Sequence, residues 1–131
     1  MSIFPPAWKS RNKDKAMKAV SKLTDDATLL RVIKEGGCME ARQLAMTKIT
    51  DQMVLADIAA RSDSFCMTGI YARNTITDQD ALVYVMKHSN VNTMMRVGTI
   101  KRITDMDVVR HYAENDKSEL VRNAAEEILN K

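Results

Sequence analysis

Hydrophobic and polar positions recur along this chain with a long period as well as a short one. The phrase Leu/Ile-Thr-Asp occurs four times, at spacings of 26, 27 and 27 residues: Leu23-Thr24-Asp25, Ile49-Thr50-Asp51, Ile76-Thr77-Asp78 and Ile103-Thr104-Asp105. A period of this length is typical of proteins built from stacked structural repeats. In such proteins most recurring residues serve packing, so the phrase predicts architecture before it predicts chemistry.

The pattern after each Thr-Asp pair predicts a first helix in every repeat. Apolar residues recur at one offset and again three residues later, which is the spacing of one helical face. These pairs are Leu29 and Val32, Leu55 and Ile58, Leu82 and Val85, and Val109 and Tyr112. Thr77 with Asp80, and Thr104 with Asp107, place an N-cap oxygen and an acidic residue in the first turn. We therefore predict that the phrase is a capping device.

A second helix is predicted in the latter half of each repeat, ending at an apolar closing residue. The closing residues are Ile49, Ile76, Ile103 and Leu129. Four residues before them lie Ala45, Ala72, Thr99 and Ala125, and four residues earlier still lie Ala41, Thr68, Met95 and Val121. Small residues on one stripe allow helices to approach closely. The ten methionines of the chain, at helical spacing, are predicted to fill the core.

Two polar positions recur around the second helix. The turn before it carries Gly36, Asp63, Asn90 and Asp116, and six residues later stand Arg42, Gly69, Arg96 and Arg122. With these residues, segment 116–129 resembles the second half of a HEAT repeat, in the short form of phycobilin-lyase-type HEAT proteins of the armadillo-like superfamily. The resemblance covers residues 23–131. It implies a turn aspartate that caps the second helix and an arginine that hydrogen-bonds from repeat to repeat, with interruptions at Gly36 and Gly69.

The fold predicted from these patterns is all-α. We expect a right-handed α-α superhelix, or solenoid, of four HEAT-like helix pairs in one domain, residues 1–131. The repeats span residues 23–48, 49–75, 76–102 and 103–131, after a capping segment of residues 1–22. Within that segment residues 9–22 predict a helix, and Trp8 is expected to fold over the open end of the first repeat. A chain of 131 residues with 45% hydrophobic residues suffices for one continuous core.

The sequence offers few features of membrane insertion, secretion or catalysis. No apolar run approaches the roughly 20 residues of a membrane span, and the start of the chain lacks a signal-peptide pattern, so we expect a cytoplasmic location. Cys38 and Cys66 form no CxxC pair and are predicted to be free, mostly buried thiols. His88 and His111 share no metal-ligand spacing with them. Without a phosphate loop, nucleophile elbow or paired carboxylates, we expect no enzyme, cofactor or metal.

Charge is distributed unevenly along the chain. Residues 1–22 hold six basic residues and one acidic residue, whereas residues 103–131 hold four basic and seven acidic residues. Such a gradient favours weak head-to-tail self-association or an anionic partner near the N-terminus. The alternative is a monomer with two solvated ends.

The resemblance implies that the second helices line a concave face. Outward positions of the middle two repeats there hold three apolar residues, Ile70, Val97 and Ile100, flanked by the cations Arg73, Arg96 and Lys101. An apolar strip with a basic rim suits a peptide or helix, which predicts a non-catalytic scaffold that binds a protein segment. The alternative arrangement packs the three apolar residues between neighbouring second helices.

Nucleic-acid binding is the second functional hypothesis. The basic N-terminal helix and the concave Arg and Lys residues would follow a phosphate backbone. DNA glycosylases also use HEAT-like helical stacks, but such a site needs an aromatic platform and a carboxylate on that face. Only Tyr71 lies nearby on a second helix, at a position expected to be buried.

Overall fold

The computed structural model describes residues 4–62, 66–89 and 92–131, and within these ranges the chain is all-helical, as predicted. A short 3-10 helix, Ala7–Lys9, precedes nine α-helices. Their bounds are α1 Lys13–Ser21, α2 Asp26–Glu35, α3 Met39–Lys48, α4 Gln52–Arg61, α5 Met67–Thr75, α6 Gln79–His88, α7 Thr93–Ile100, α8 Met106–Asn115 and α9 Glu119–Leu129. Each of the four predicted repeats therefore contains two helices.

The helices belong to two compact units, Met1–Asp51 and Gln52–Lys131. In the first unit, α3 packs against both α1 and α2, and the 3-10 helix packs against α1. In the second unit, the pairs α4–α5, α6–α7 and α8–α9 are in contact. Successive pairs of that unit meet through α4 and α6 and through α7 and α9.

The apolar stripes predicted from helical spacing form the cores of these units. The first-helix residues Leu29, Leu55, Leu82 and Val109 are all buried. All four small residues of the second helices, Ala45, Ala72, Thr99 and Ala125, have no exposed surface. Because a small side chain at this position lets helix backbones approach closely, the recurrence of small residues there is explained by packing.

The cap of the first helix is the aspartate of the phrase and not the threonine. Asp25, Asp78 and Asp105 are the N-caps of α2, α6 and α8. Their carboxylates accept backbone N–H groups of the first turn, from Thr28 at 2.8 Å, Asp80 at 3.1 Å and Asp107 at 2.9 Å. The prediction that Thr77 and Thr104 are the caps was therefore wrong by one residue. A carboxylate one residue later satisfies the same free N–H groups.

The threonine of the phrase instead joins successive repeats. In three cases its backbone N–H donates to the side chain of the residue that begins the preceding first helix. These bonds are Thr50 to Asp26 at 3.1 Å, Thr77 to Gln52 at 2.7 Å and Thr104 to Gln79 at 3.0 Å. We call this set the threonine ladder. Met106 holds the corresponding position at the start of α8.

Three arginines of the second helices bond to backbone carbonyls or to a carboxylate. Arg42 and Arg122 donate to the backbone carbonyl six residues earlier, on Gly36 at 2.9 Å and on Asp116 at 2.6 Å. Because the acceptor is a backbone oxygen, Gly36 does not interrupt the bond. Arg96 instead pairs with the carboxylate of Asp116 in the next repeat, as the resemblance implies.

Asp116 does not cap α9, contrary to the expectation. The N-cap is Ser118, whose hydroxyl accepts the Val121 N–H, and the Asp116 carboxylate accepts the Ser118 N–H at 2.9 Å. The other polar turn residues, Asp63 and Asn90, lie outside the described residues. Gly69 carries no side chain that could donate, so that position contributes no arginine bond.

The N-terminal segment is held against the first unit through Trp8, whose side chain is 5% exposed. The Gly37 N–H donates to the Trp8 carbonyl at 3.3 Å. A Cβ atom on Gly37 would lie 2.2 Å from the backbone oxygens of Lys9 and Ser10, so only glycine permits this approach. The helix predicted for residues 9–22 is α1, which is capped by Asn12.

Neither a membrane span nor a disulfide occurs in the part of the chain that the structure describes. No described helix has the length and apolar character needed to cross a bilayer. Cys38 and Cys66 are free thiols, as predicted, but both are only half-buried. The expectation that they are mostly buried was therefore too strong.

Candidate binding groove

A groove opens between α5 and α7, the second helices of the second and third repeats. Helix α7 packs closely along α9, whereas no comparable contact joins α7 to α5. The groove has a volume of about 280 Å³. Its lining residues are Ile70 and Arg73 on α5, Met94, Met95, Val97 and Gly98 on α7, and Asn92 and Lys101 beside α7.

Four of the six residues proposed from the sequence line this one groove. Ile70 and Val97 are half-buried, Arg73 is half-buried and Lys101 is exposed. Apolar and basic side chains are therefore adjacent there, as the sequence interpretation required. Tyr71, which was expected to be buried, is half-buried.

Ile100 is fully buried, so its predicted outward position is wrong. Ile100 and Arg73 occupy the same position, three residues before the closing residue. Arginine can bury its aliphatic stem while its guanidinium reaches the surface, but isoleucine has no polar end to extend. The apolar side chain at this position therefore remains in the core.

Arg96 is also unavailable at the surface, with 11% of its side chain exposed. Its Nε donates to the Met86 carbonyl at 3.0 Å, and Nη1 donates to Asp116 Oδ2 at 3.0 Å. Nη2 bonds the second carboxylate oxygen, and the guanidinium lies 5.9 Å from the centre of the Tyr112 ring. These contacts give Arg96 a structural role between repeats, in place of the partner-binding role predicted for it.

The Arg73 guanidinium faces the groove without a carboxylate partner among the described residues. Its Nε and Nη2 contact the Asn74 amide oxygen at 3.2 and 3.1 Å, and Nη1 lies 4.0 Å from the Met95 sulfur. Burial lowers the pKa of Arg73, and the positive charge of Arg102 lowers it further. The contacts of this guanidinium are thus an amide oxygen and a thioether sulfur, and both effects on its pKa disfavour the charged form.

Three exposed apolar residues that the sequence interpretation missed share one position in the repeat. Met67, Met94 and Leu120 are 61%, 59% and 57% exposed. Each stands nine residues before its closing residue, near the start of α5, α7 and α9. The signal was present in this shared position, but the methionines were interpreted as core residues because their helical spacing also fits a buried stripe. We call these residues the apolar row.

A second surface groove combines a tryptophan with lysines in the first unit. It has a volume of about 390 Å³. Its lining includes Trp8 and three lysines on one face of α1 and its end, Lys15, Lys18 and Lys22. This is where the structure places the basic N-terminal helix of the nucleic-acid hypothesis.

Metal-binding residues do not gather anywhere in the described ranges. No group of three His, Cys, Asp or Glu side chains is positioned to hold an ion there. His88 stacks on Tyr84 with ring centres 4.2 Å apart, and His111 packs edge-on to Tyr112 at 5.3 Å. Both histidines therefore make aromatic contacts on first helices.

Comparisons of the chain with models of protein families, with curated proteins and with solved structures found no match. The groove, the apolar row and the charges around them are therefore the features that bear on function.

Proposed function

We propose that the protein is a non-catalytic interaction scaffold that binds a protein or peptide segment on the second-helix face of residues 52–131. In this proposal the helix pairs stack as a HEAT-like right-handed superhelix, and the protein works in the cytoplasm. The observation that carries it is the apolar row beside the groove between α5 and α7. Met67 and Met94 are each more than half exposed at the start of the two helices that border this groove.

Exposed apolar residues are ordinary when scattered singly, but contiguous ones typically mark a binding surface. On α7, Met94 and Val97 are three residues apart and thus share one face, and Met67 and Ile70 are related in the same way on α5. Apolar residues from two helices at one groove suit an amphipathic helix or an extended peptide that lies on a helical surface. Methionine suits such a surface because its flexible side chain adapts to the partner.

The size of the groove favours a peptide over a whole cofactor. Pockets for small-molecule ligands typically measure about 300–1,000 Å³, and the volume of this groove lies just below that range. A groove of this size accommodates anchoring side chains of a longer segment. The remainder of that segment would lie along the apolar row.

The test is a selection of phage-displayed peptides on the immobilised full chain, followed by affinity measurement for the enriched peptides. Met67→Asp and Met94→Asp should each weaken binding by roughly tenfold or more, because a charge replaces an apolar contact. Met106→Asp is the matched control, since Met106 is an exposed methionine on the first helix α8. Equal losses in all three variants, or no enriched peptide, would contradict the proposal.

Nucleic-acid binding remains the second candidate because of the lysines in the groove of the first unit. Lys15, Lys18 and Lys22 carry no ion pair among the described residues, and three cations on one face can follow a phosphate backbone. Duplex and single-stranded DNA should then shift at low salt, with affinity falling as salt rises. The triple change of these lysines to glutamine should abolish the shift. Absence of a shift at low salt would eliminate this candidate.

A further inference from the structure

We infer that the segment bound in the groove between α5 and α7 is acidic, and that one of its side-chain carboxylates pairs with Arg73 and Lys101. The inference rests on the proposed function and specifies the partner's chemistry. Apolar side chains of the same segment would lie on Ile70, Val97 and Met94. The recognition element is therefore a carboxylate next to apolar residues.

Arg73 has no carboxylate partner among the described residues. Four arginines of the described chain have carboxylate partners: Arg31 with Glu35, Arg61 with Asp57, Arg96 with Asp116 and Arg110 with Asp107. Arg42, Arg102 and Arg122 instead donate to backbone carbonyls. Arg73 is more deeply placed than Arg31, Arg61 and Arg110, yet its polar contacts are an amide oxygen and a thioether sulfur. A half-buried cation without an anion is a costly arrangement that an incoming carboxylate would relieve.

The residues around Arg73 add positive charge to the groove. None of the described residues that line the groove is an Asp or a Glu, and the exposed Lys101 adds another positive charge at its edge. Arg102 also stands close enough to lower the pKa of Arg73. The guanidinium of Arg102 is fixed on the carbonyls of Arg73 and Ile76 at the end of α5. The groove is therefore a positive site with apolar walls, which complements an acidic and apolar segment and disfavours a basic one.

Gly98 leaves room for the Arg73 guanidinium in the groove. A Cβ atom there would lie 2.2 Å from Arg73 Nη1 and 2.7 Å from Arg73 Cζ. The missing side chain thus gives the guanidinium its place in the groove, over the backbone of α7. A planar guanidinium held in this way can bind a carboxylate through two parallel N–H groups, which a lysine cannot do.

The peptides enriched on the full chain serve as the probe. We expect them to carry Asp or Glu next to apolar residues. Their affinity should fall roughly tenfold when that residue becomes Asn or Gln, and by a similar factor on the Arg73→Gln protein. The two losses should not add, because both changes remove the same ion pair. Arg73→Lys should restore part of the affinity, and Arg110→Gln, which alters an exposed arginine on α8, should leave it unchanged.

Lys101→Gln provides a second variant that cannot act through the core, because Lys101 is exposed. It should weaken the acidic peptides and leave their amide versions unaffected. Enriched peptides that lack acidic residues, or that bind Arg73→Gln as tightly as the unaltered protein, would overturn this inference while the scaffold proposal stood. Failure to enrich any peptide would instead count against the scaffold. Self-association in sedimentation that Arg73→Gln abolishes would identify a second copy as the occupant and would also overturn the inference.

Discussion

Arg96 on α7 holds Asp116 with both terminal nitrogens of its guanidinium, across twenty residues of chain and between the third and fourth repeats. The same guanidinium bonds the Met86 carbonyl, and Asp116 also accepts the Ser118 N–H. The pair therefore connects helix α6, helix α7 and the turn before α9. With 11% and 6% of the two side chains exposed, it is shielded from water.

Removing one partner of this pair should be strongly destabilising. Asp116→Asn leaves the Arg96 charge buried without an anion, and we expect a loss of roughly 3 kcal/mol of unfolding free energy. Denaturant titration followed by circular dichroism measures this loss. Asp107→Asn is the matched control, because Asp107 forms an exposed pair with Arg110, and its cost should stay below about 1 kcal/mol. Similar losses of unfolding free energy in the two variants would show that the buried pair stabilises the fold no more than the exposed pair does.

Acid should destabilise the protein through the same carboxylate. Burial raises the pKa of Asp116, but hydrogen bonds from Arg96 and from the Ser118 N–H outweigh that effect and hold the pKa below its ordinary value. A carboxyl whose pKa is lower in the folded state stabilises the fold above about pH 4 and loses that contribution as the pH falls through the folded value.

Two aspartates at the surface of the first unit, Asp25 and Asp26, should also make the fold less stable in acid. The Thr28 hydroxyl and N–H lower the pKa of Asp25, and the Thr50 N–H lowers that of Asp26. Unfolding free energy measured from pH 7 to pH 2 should therefore fall steeply below about pH 4. The slope should be shallower in Asp116→Asn, and an unchanged slope would exclude Asp116 as a contributor.

Each bond of the threonine ladder should make its own contribution to the unfolding free energy. Gln79 accepts the Thr104 N–H and donates to the Arg102 carbonyl at 3.1 Å. Gln79→Ala should cost about 1 kcal/mol per lost bond and speed hydrogen exchange at the Thr104 amide. Met106→Ala, at the corresponding position of α8, should change stability by less than about 0.5 kcal/mol. Unaltered exchange at Thr104 in Gln79→Ala would show that the bond contributes little protection.

Gly98→Ala should weaken the binding of acidic peptides without lowering the stability of the fold. Alanine is favoured over glycine inside a helix by about 1 kcal/mol, and the atoms that the new Cβ would meet belong to the flexible end of Arg73. The melting temperature should therefore hold or rise, while displacement of the guanidinium weakens acidic peptides.

Gly69→Ala in α5 is the control for the same substitution. There the Cβ would lie 2.3 Å from Ser62 Cβ, which cannot move aside without the backbone, so this variant should lose stability. Tight binding of acidic peptides by Gly98→Ala would refute the proposed role of the glycine.

The sequence predicted the helices well because helical spacing is a local property. Leu29, Leu82 and Val109 are buried where their three-residue spacing to the next apolar position places them. The predicted N-cap was wrong by one residue because threonine and aspartate are both favoured N-caps and are adjacent in this sequence. In the three described caps the residue used is the aspartate, which directly precedes the first helical residue.

The groove was predicted only in part because it depends on contacts between helices. Ile100 and Arg73 share a position in the repeat, yet only the longer, charged side chain reaches the surface. The space that receives it comes from Gly98, on a different helix and 25 positions further along the chain. Spacing within one helix carries no information about such a match.

The sequence separation between contacting residues influences the rate of folding. In the threonine ladder this separation is nearly constant. Its bonds join residues 24 or 25 positions apart, and the bonds from Lys48 to α1 and from Arg102 to α5 span at most 29. Each such bond closes a loop of about one repeat, and the entropy cost of closing a loop grows only slowly with its length. We expect folding to begin at one repeat and to spread to its neighbour in sequence, because the bonds named here join neighbouring repeats or tie α1 to the first of them.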